Sequence, residues 1–324
     1  MRYTIAKCIV VAALATIAGP AAAQAQYPAK PVRVIVPYPP GGGNDTLARL
    51  FGQKLTEAWG QQFVIENRPG AGTIIGTAAA AKSPADGYSL LLSSIATHAF
   101  SPHLYSKPGY DPVKDFSPIT LLVVAPTLLV VNPALPVKSL KELVALAKKH
   151  PGKLEYASAG AGSSAHMLAE VFRGLAKLEI VNVPYKGGGP AITGTISGEA
   201  QMMLDPAASV LPHVKSGRLR ALAIARAARL DDLKEIPTFA EAGMPDYTAA
   251  AWYSMHAPAR TPPAIVARLN KELIRILALP DIRTRLKDLG SDGVGNSPEE
   301  FASFVAAESA RYGKLIKELG LKAD

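Results

Sequence analysis

The sequence predicts an α/β fold, and three observations support this. Apolar runs rich in β-branched residues, typical of buried strands, alternate along the chain with segments whose apolar residues recur at helical spacing. At least three of these runs lead through a glycine-rich turn directly into a helical segment. The chain of 324 residues is 48% hydrophobic and 19% charged, which suits a well-cored globular protein long enough for two domains.

The predicted elements follow from this alternation in chain order. The strand segments are 31–36, 62–66, 88–93, 115–131, 154–157, 180–184 and 219–225, with a short buried strand ending at Asp205 and a return strand within 237–262. The clearest helical segments are 46–60, 140–149, 265–277 and 298–319. We expect the long apolar stretch at 115–131 to break at Pro126 and to continue into a second domain.

The first glycine turn reads PYPPGGGND from Pro37 to Asp45. The prolines end the strand, the glycines turn the chain, and Asn44 or Asp45 is the expected N-cap of the next helix. The first amides of a helix lack internal partners and carry the positive end of its dipole, so this turn can bind an anion through its main chain. A tight turn that binds nothing is the alternative for this motif alone.

The same pattern returns at later points in the chain. We expect Thr73 to cap a helix after the glycines at 70 and 72, and Ser163 or Ser164 to cap another after 160–162. The glycines at 187–189 precede a third helical segment. Because such helix starts could converge at the strand ends, where ligands sit in open α/β sheets, the repetition favours a ligand site.

Several chemistries find no support in the sequence. The glycines at 70–76 and 160–165 resemble dinucleotide fingerprints but lack the acidic residue after a second strand. The six histidines are dispersed without metal-ligand spacing, so we expect no metal and no cofactor. Ser164 and His166 lie two apart on a helix start and point in different directions, which disfavours a nucleophilic pair. The net charge of +9 comes from scattered Lys and Arg, which indicates a solvated basic surface rather than nucleic-acid binding.

Residues 1–25 form a predicted secretory leader. Two basic residues precede an apolar run, and AQA at 23–25 fits a small-x-small cleavage site. We expect cleavage after Ala25, with Ala23 as the alternative. Cys8, the one cysteine of the sequence, lies ahead of the apolar run, so we expect a mature chain free of lipid and disulfides in a bacterial periplasm.

Ordered stretches from Tyr27 to about Lys317 resemble the periplasmic substrate-binding receptors of tripartite tricarboxylate transporters, the Bug-type proteins. The matching stretches include VIVPYPPGGGNDTLAR, ENRPGAGTIIG, YASAGAGSSAHMLAEVF, VPYKGGGPAITG and AWYSMHAPARTP. The resemblance implies a two-domain, type II Venus-flytrap fold with two crossover strands. It divides the mature chain into a discontinuous domain of residues 26–125 plus 250–324 and a second domain of residues 126–249.

The resemblance also implies a ligand carboxylate held between loops 38–45 and 159–166 by backbone amides and hydroxyls, partly through water. Strand ends and these loops together give the expected ligand-binding residues Tyr38, Gly42, Gly43, Asn44, Asp45, Ser93, Ser94, Thr127, Ala161, Gly162, Ser163, Ser164, His166, Tyr185, Gly187 and Asp205. Asn44 stands where the family commonly has threonine or serine, and Gly194 where an aspartate is common. Both departures can retune the choice of ligand.

Two functions of different classes are open. The first is a non-enzymatic receptor, expected to be a monomer, that captures a small carboxylate of the dicarboxylate, tricarboxylate, amino-acid or aromatic-acid type. It would deliver this ligand to the membrane components of a tripartite tricarboxylate transporter or to a sensor kinase. The second is a secreted α/β hydrolase that uses Ser163 or Ser164 and needs a base and an orienting acid within reach. The lack of a recognisable catalytic set favours the receptor.

Overall fold

The structure is a computed structural model that describes residues 27–323, so the predicted leader lies outside the described residues. The strands are β1 Val32–Val36, β2 Phe63–Asn67, β3 Ser89–Ser94, β4 Phe116–Val131, β5 Glu155–Ser158, β6 Val181–Pro184, β7 Met202–Pro206, β8 Arg220–Ile224, β9 Ala250–Pro258 and β10 Asp292–Gly293. The helices are α1 Gly43–Trp59, α2 Ile74–Ala81, α3 Ser101–Leu104, α4 Leu140–Lys149, α5 Ser164–Ala176, α6 Gly188–Ser197, α7 Ala207–Lys215, α8 Pro263–Leu277, α9 Pro280–Asp288 and α10 Pro298–Glu318. A 3₁₀ turn Ala71–Thr73 precedes α2, and a π-helical turn Ala96–Phe100 precedes α3. This alternation confirms the predicted α/β class.

The strands form one sheet in the order β2-β1-β3-β9-β4-β7-β5-β6, and β8 and β10 also pair with β4. Strands β2, β1 and β3 are parallel at one end of the sheet, and β7, β5 and β6 are parallel at the other. The antiparallel strands β9 and β4 lie between these two groups. We call the strands on the β3 side, with α1, the first half, and those on the β7 side, with α5 to α7, the second half.

Strand β4 joins the two halves. Its residues up to Pro126 pair with β9. Beyond that point, residues 127–131 pair with β7 on one edge and residues 128–131 pair with β8 on the other. The expected break at Pro126 is wrong, because β4 is continuous through this residue. Pro126 occupies the last pair with β9, at the change of partner, where a missing ladder donor is tolerated.

Three helices were not predicted from the sequence: the short α3, α7 and α9. Pro212 lies inside α7, and proline inside a helical segment normally signals an end, so the stretch after Asp205 gave no helix prediction. The structure shows a nine-residue helix there that buries Ala207, Val210 and Leu211. This omission matters because α7 contributes to the site described below.

The predicted apolar face of α1 packs into the interior. Leu47, Phe51 and Leu55 are fully buried, and Leu50 is half-buried at the margin of that face.

Helix α10 is tied to the central strands. Trp252 of β9 is buried, and its indole N–H donates to Glu308 of α10 at 3.2 Å. Among the helices of residues 27–323, none is long and apolar enough to cross a membrane.

Helix α10 begins with a reciprocal cap that offers a stability test. The Glu300 amide donates to Ser297 Oγ at 3.2 Å, and the Ser297 amide donates to Glu300 Oε2 at 2.9 Å. We expect Ser297→Ala to lower the free energy of unfolding by about 1 kcal/mol, because one of the first amides of α10 loses its acceptor. The measurement is the midpoint of urea unfolding.

The matched control is Ser303→Ala, on an exposed face of the same helix. The Ser303 hydroxyl only donates back to the Glu299 carbonyl at 3.1 Å, and alanine is the better helix former, so this change is expected to be neutral or slightly stabilising. Equal losses in the two variants would contradict the assigned cap.

Candidate functional site

Four helix N-termini meet around a small cavity of about 40 Å³, which we call the inner cavity. Helices α1, α5, α6 and α7 all begin at its wall, so the structure brings together turns that lie far apart in the sequence. The lining residues are Tyr38, Pro39, Gly42, Gly43, Asn44, Ala159, Ser163, Ser164, Ala165, Gly188, Asp205, Pro206, Ser209 and Tyr253. Seven of these are sequence-predicted site residues: Tyr38, Gly42, Gly43, Asn44, Ser163, Ser164 and Asp205.

The inner cavity is electrostatically suited to an anion. The first intrahelical hydrogen bonds of α1, α5 and α6 are donated by the amides of Thr46, Met167 and Ala191 at 3.0, 3.0 and 3.2 Å. The amides ahead of them have no acceptor within their own helix, and each helix start carries about half a positive charge. Among the described residues, those that line the inner cavity include no Lys, Arg or His. The attraction for an anion here therefore comes from the main chain.

The start of α1 differs from the prediction. The N-cap is Gly42 in an extended conformation rather than Asn44 or Asp45, so the helix begins earlier than the side-chain signals indicated. Asp45 lies outside the cavities and braces the loop, because its carboxylate accepts from the Gly41 amide at 3.1 Å and from Arg49 at 3.0 Å. Burial alone would raise the pKa of Asp45, but these hydrogen bonds lower it.

The start of α5 confirms Ser163 as the N-cap. Its hydroxyl accepts from the His166 amide at 3.3 Å, and the His166 ring accepts from the Gly162 amide at 3.3 Å. Burial lowers the pKa of His166. Both side chains therefore hold the loop together, and this geometry does not form the nucleophile–base pair that a hydrolase needs. Ser163 also lines the inner cavity, whereas Gly162 and His166 are not among its lining residues.

Tyr38 separates the inner cavity from a larger space beside it. Its hydroxyl lies 2.6 Å from Ser94 Oγ, and its carbonyl accepts from Asn67 at 3.0 Å. Burial raises the pKa of Tyr38, opposed by hydrogen bonds to Ser94 and Ser164. Ser94 therefore acts on the site through Tyr38 and does not line a cavity itself.

Asp205 places a buried carboxyl group in the same wall. It lies near the end of β7, is 6% exposed, and hydrogen-bonds to the Ser209 hydroxyl. Burial raises the pKa of Asp205 to about 7. The sequence reading missed two neighbours, Ser209 of α7 and Tyr253 of β9. A Cβ atom added at Gly43 would lie 2.9 Å from Ser209 Oγ and 3.1 Å from the Tyr253 hydroxyl.

The larger space, which we call the outer cavity, has a volume of about 470 Å³. Its walls are mostly proline, glycine, alanine and tyrosine, with Lys186 as the charged residue among them. The lining residues are Pro37, Tyr38, Pro39, Pro69, Gly70, Ala71, Gly72, Thr73, Tyr105, Ala159, Gly160, Ala161, Ser163, Lys186 and Gly187. Among the sequence-predicted residues, Ala161 and Gly187 line the outer cavity but not the inner one, whereas Tyr38 and Ser163 line both. It can therefore hold the carbon body of a ligand whose charged group enters the inner cavity.

Two further predicted residues, Ser93 and Thr127, serve the fold instead of the cavities. Ser93 is fully buried, and its hydroxyl lies 2.6 Å from Ser254 Oγ and 2.7 Å from His256 Nδ1. Thr127 donates to the Ala249 carbonyl at 2.7 Å, which ties together the two strands of the crossover. Burial keeps the pKa of His256 well below its usual range.

Tyr185 points along α6 and away from both cavities. Its hydroxyl donates to Glu199 Oε2 at 3.0 Å. A Cβ atom at Gly194 would overlap the Tyr185 ring, so the glycine at this position makes room for the ring. The departure at Gly194 thus fixes where Tyr185 lies.

A third cavity, of about 500 Å³, lies between α7, α8 and α9 and contains none of the predicted residues. Two ion pairs lie in its wall, Arg226–Asp292 at 3.2 Å and Lys287–Asp231 at 3.4 Å. Across 27–323, no group of three or more His, Cys, Asp or Glu side chains is placed to hold a metal ion. The inner and outer cavities are therefore the better candidate site.

Comparison with known proteins identifies the architecture and the family. The family model for the tripartite tricarboxylate transporter family receptor, TctC, matches residues 47–321. Protein BugT of Bordetella pertussis is 38% identical over 96% of this chain and 95% of its own length.

Two solved structures extend this similarity to the fold. R. palustris Rpa4515 with adipate has a TM-score of 0.88 and 36% identity, covering 91% of this chain and 99% of that one. MatC from Rhodopseudomonas palustris with bound malate has a TM-score of 0.85 and 34% identity, covering 90% and 100%. These similarities confirm the predicted periplasmic-binding-protein fold and the receptor class, and the hydrolase alternative is wrong. The chain belongs to the TctC family of tripartite tricarboxylate transporter receptors, which are binding proteins and not enzymes.

Proposed function

We propose that this protein captures a small organic carboxylate in the periplasm and delivers it to the membrane components of a tripartite tricarboxylate transporter. The observation that carries the proposal is the convergence of four helix N-termini on a cavity without a basic side chain. Main-chain amides of Gly43 and Asn44, helped by Ser163 or Ser164, would hold the carboxylate. The relatives solved with adipate and with malate support the same ligand class.

The two cavities would bind different parts of the ligand. The inner cavity, at about 40 Å³, admits only a few atoms, which suits one carboxylate group. The outer cavity, at about 470 Å³, would take the rest of the molecule between proline, alanine and tyrosine walls. Lys186 is exposed at the edge of the outer cavity, where it can meet a second carboxylate without being required for the first.

The proposed function also requires export of the chain and closure of its two halves on the ligand. Removal of residues 1–25 would release the mature chain into the periplasm, and the two halves would close on the ligand about β4 and β9. The division into domains at 126 and 250 agrees with the change of partner along β4 between Pro126 and Thr127.

The test is a thermal-shift screen of the purified mature protein with adipate, malate, citrate, glutamate and benzoate. A ligand that binds only the folded state at 100 times its Kd adds about 2.7 kcal/mol of stability, which raises the Tm measurably. We expect at least one of these acids to raise the Tm at millimolar concentration, and calorimetric titration to give one site per chain. If none of the five raises the Tm and none gives binding heat, the proposed function is wrong.

A further inference from the structure

A buried acid lies inside the cavity that is proposed to hold an anion. Asp205 is 6% exposed and lines the inner cavity beside the starts of α1 and α5. Its side-chain partner is the hydroxyl of Ser209, a neutral group. Of the described residues that line this cavity, none is basic, so no cation lies in its wall to separate Asp205 from an incoming carboxylate.

The size of the inner cavity brings the two acids together. A space of about 40 Å³ leaves a carboxylate group little freedom, so it must lie against the walls that Asp205 and the α1 amides form. Two carboxyl groups that share such a site hold one proton strongly, because both cannot remain charged. A protonated carboxyl group then donates a short, charge-assisted hydrogen bond to its partner.

We propose that Asp205 binds the ligand carboxylate as a neutral acid that donates a hydrogen bond, so that capture of the anion takes up one proton from solvent. This inference rests on the proposed function, since it assigns a role within the same cavity. In this role, Asp205 favours ligands that present a hydrogen-bond acceptor to the inner cavity. Binding is then expected to weaken as the pH rises, because Asp205 loses its proton.

The other titratable groups around Asp205 do not compete for this role. Tyr38 from the β1–α1 loop and Tyr253 from β9 face the same cavity, and burial raises the pKa of both, so they stay neutral between pH 6 and 8. His166 lies on the first turn of α5, and burial lowers its pKa. The Asp45–Arg49 pair of α1 at 3.0 Å lies outside the cavity wall.

The direction of the pH effect follows from the raised pKa. Since only the protonated form accepts the anion, the apparent affinity is the intrinsic affinity multiplied by the protonated fraction of Asp205 in the free receptor. With a pKa of about 7, that fraction falls about tenfold between pH 6 and pH 8. Each of these acids keeps at least one carboxylate ionised over this range, because the pKa of a first carboxyl group lies near 4 or below. Citrate is left out of the pH comparison, because its last carboxyl group titrates in the same range.

The experiment begins with calorimetric titration of adipate, malate, citrate, glutamate and benzoate at pH 6. The tightest binder among the acids other than citrate is then titrated at pH 7 and pH 8. We expect the affinity of the natural chain to fall about tenfold from pH 6 to pH 8. Repeating the titration at pH 8 in buffers of different ionisation enthalpy should show uptake of close to one proton. Asp205→Asn keeps the shape and a donor, so it should bind at pH 6 with an affinity that changes by less than about twofold up to pH 8.

Asp231→Asn, an exposed change of the same kind in the third cavity, is the control and should keep the slope of the natural chain. An unchanged affinity from pH 6 to 8 without proton uptake overturns the inference, and this result needs no variant. The same pH slope in Asp205→Asn assigns the proton to another group and overturns it as well. Loss of binding at pH 6 in a folded Asp205→Asn would show that a neutral donor at this position does not suffice, and it overturns the inference too. Absence of binding by all five acids is instead a failure of the proposed function.

Discussion

Replacing Gly43 by alanine is expected to lower the affinity for the bound carboxylate at least tenfold, about 1.4 kcal/mol. The added Cβ would lie 2.9 Å from Ser209 Oγ and 3.1 Å from the Tyr253 hydroxyl, which is closer than a Cβ normally approaches other atoms. Either the Ser209 and Tyr253 side chains turn aside or the start of α1 moves, and in both cases the added methyl group takes space from the small inner cavity. The amide of residue 43 is retained, so the effect isolates the shape of the cavity from the loss of a donor.

Gly42→Ala is the matched control for Gly43→Ala. Gly42 is the neighbouring residue of the same helix start and has a φ of −89°, which alanine adopts freely. Within residues 27–323, no atom lies within 4 Å of a Cβ added at Gly42. We expect a loss of less than about threefold in calorimetric titration, although both changes are glycine to alanine.

Lys186→Ala tests the competing view that a cation holds the charge. Lys186 is exposed at the outer cavity and does not line the inner one, so its removal should weaken binding by less than about threefold. Circular dichroism checks that all three variants fold. If Lys186→Ala abolishes binding while Gly43→Ala leaves it intact, the carboxylate pairs with a side-chain cation and the main-chain account is wrong.

The glycine turns could be predicted because their signal is local. A proline or glycine after an apolar run ends a strand wherever it stands, and a helical pattern after it gives a helix start. This sufficed for α1, α5 and α6 and for most of their lining residues. The start of α7 could not be found in this way, because Pro212 contradicts the helical pattern that Val210 and Leu211 support.

Other errors come from the direction of side chains. Ser93 and Ser94 are neighbours at the end of β3, and successive side chains of a strand point to opposite faces. Ser94 therefore reaches Tyr38 at the site, whereas Ser93 turns to Ser254 in the interior. Without the sheet, the sequence offers no means of choosing between the two hydroxyls.

Contacts between segments that lie far apart in the chain depend on the order of strands in the sheet, and they could not be predicted from the sequence. Tyr253 reaches the start of α1 because β9, from late in the chain, lies between β3 and β4. The early and late segments are about 200 residues apart, and no local pattern encodes their contact. The same is true of Gly187 and Pro39, which meet from opposite halves of the molecule.

Replacing Gly187 by alanine is expected to block closure of the cleft. Gly187 caps α6 in the second half with a φ of +118°, and a Cβ there would lie 2.7 Å from Cγ of Pro39 in the first half. Overpacking of this kind costs about 1–3 kcal/mol, and we expect it to disfavour the closed form, in which the two halves are brought together. We therefore expect roughly a tenfold or greater loss of affinity, and small-angle scattering at saturating ligand should show less compaction than in the natural chain.

Two further variants separate the steric effect from backbone strain. Gly41→Ala introduces alanine at a φ of +89°, and no atom of the described part of the chain lies within 4 Å of the new Cβ. This variant therefore carries backbone strain without a contact between the two halves, and it should close normally. Combining Gly187→Ala with Pro39→Gly removes the ring that the new Cβ meets, and we expect this double variant to regain both compaction and most of the affinity. If Gly187→Ala compacts on binding as the natural chain does, or if the double variant stays open, then contact between Gly187 and Pro39 does not control closure.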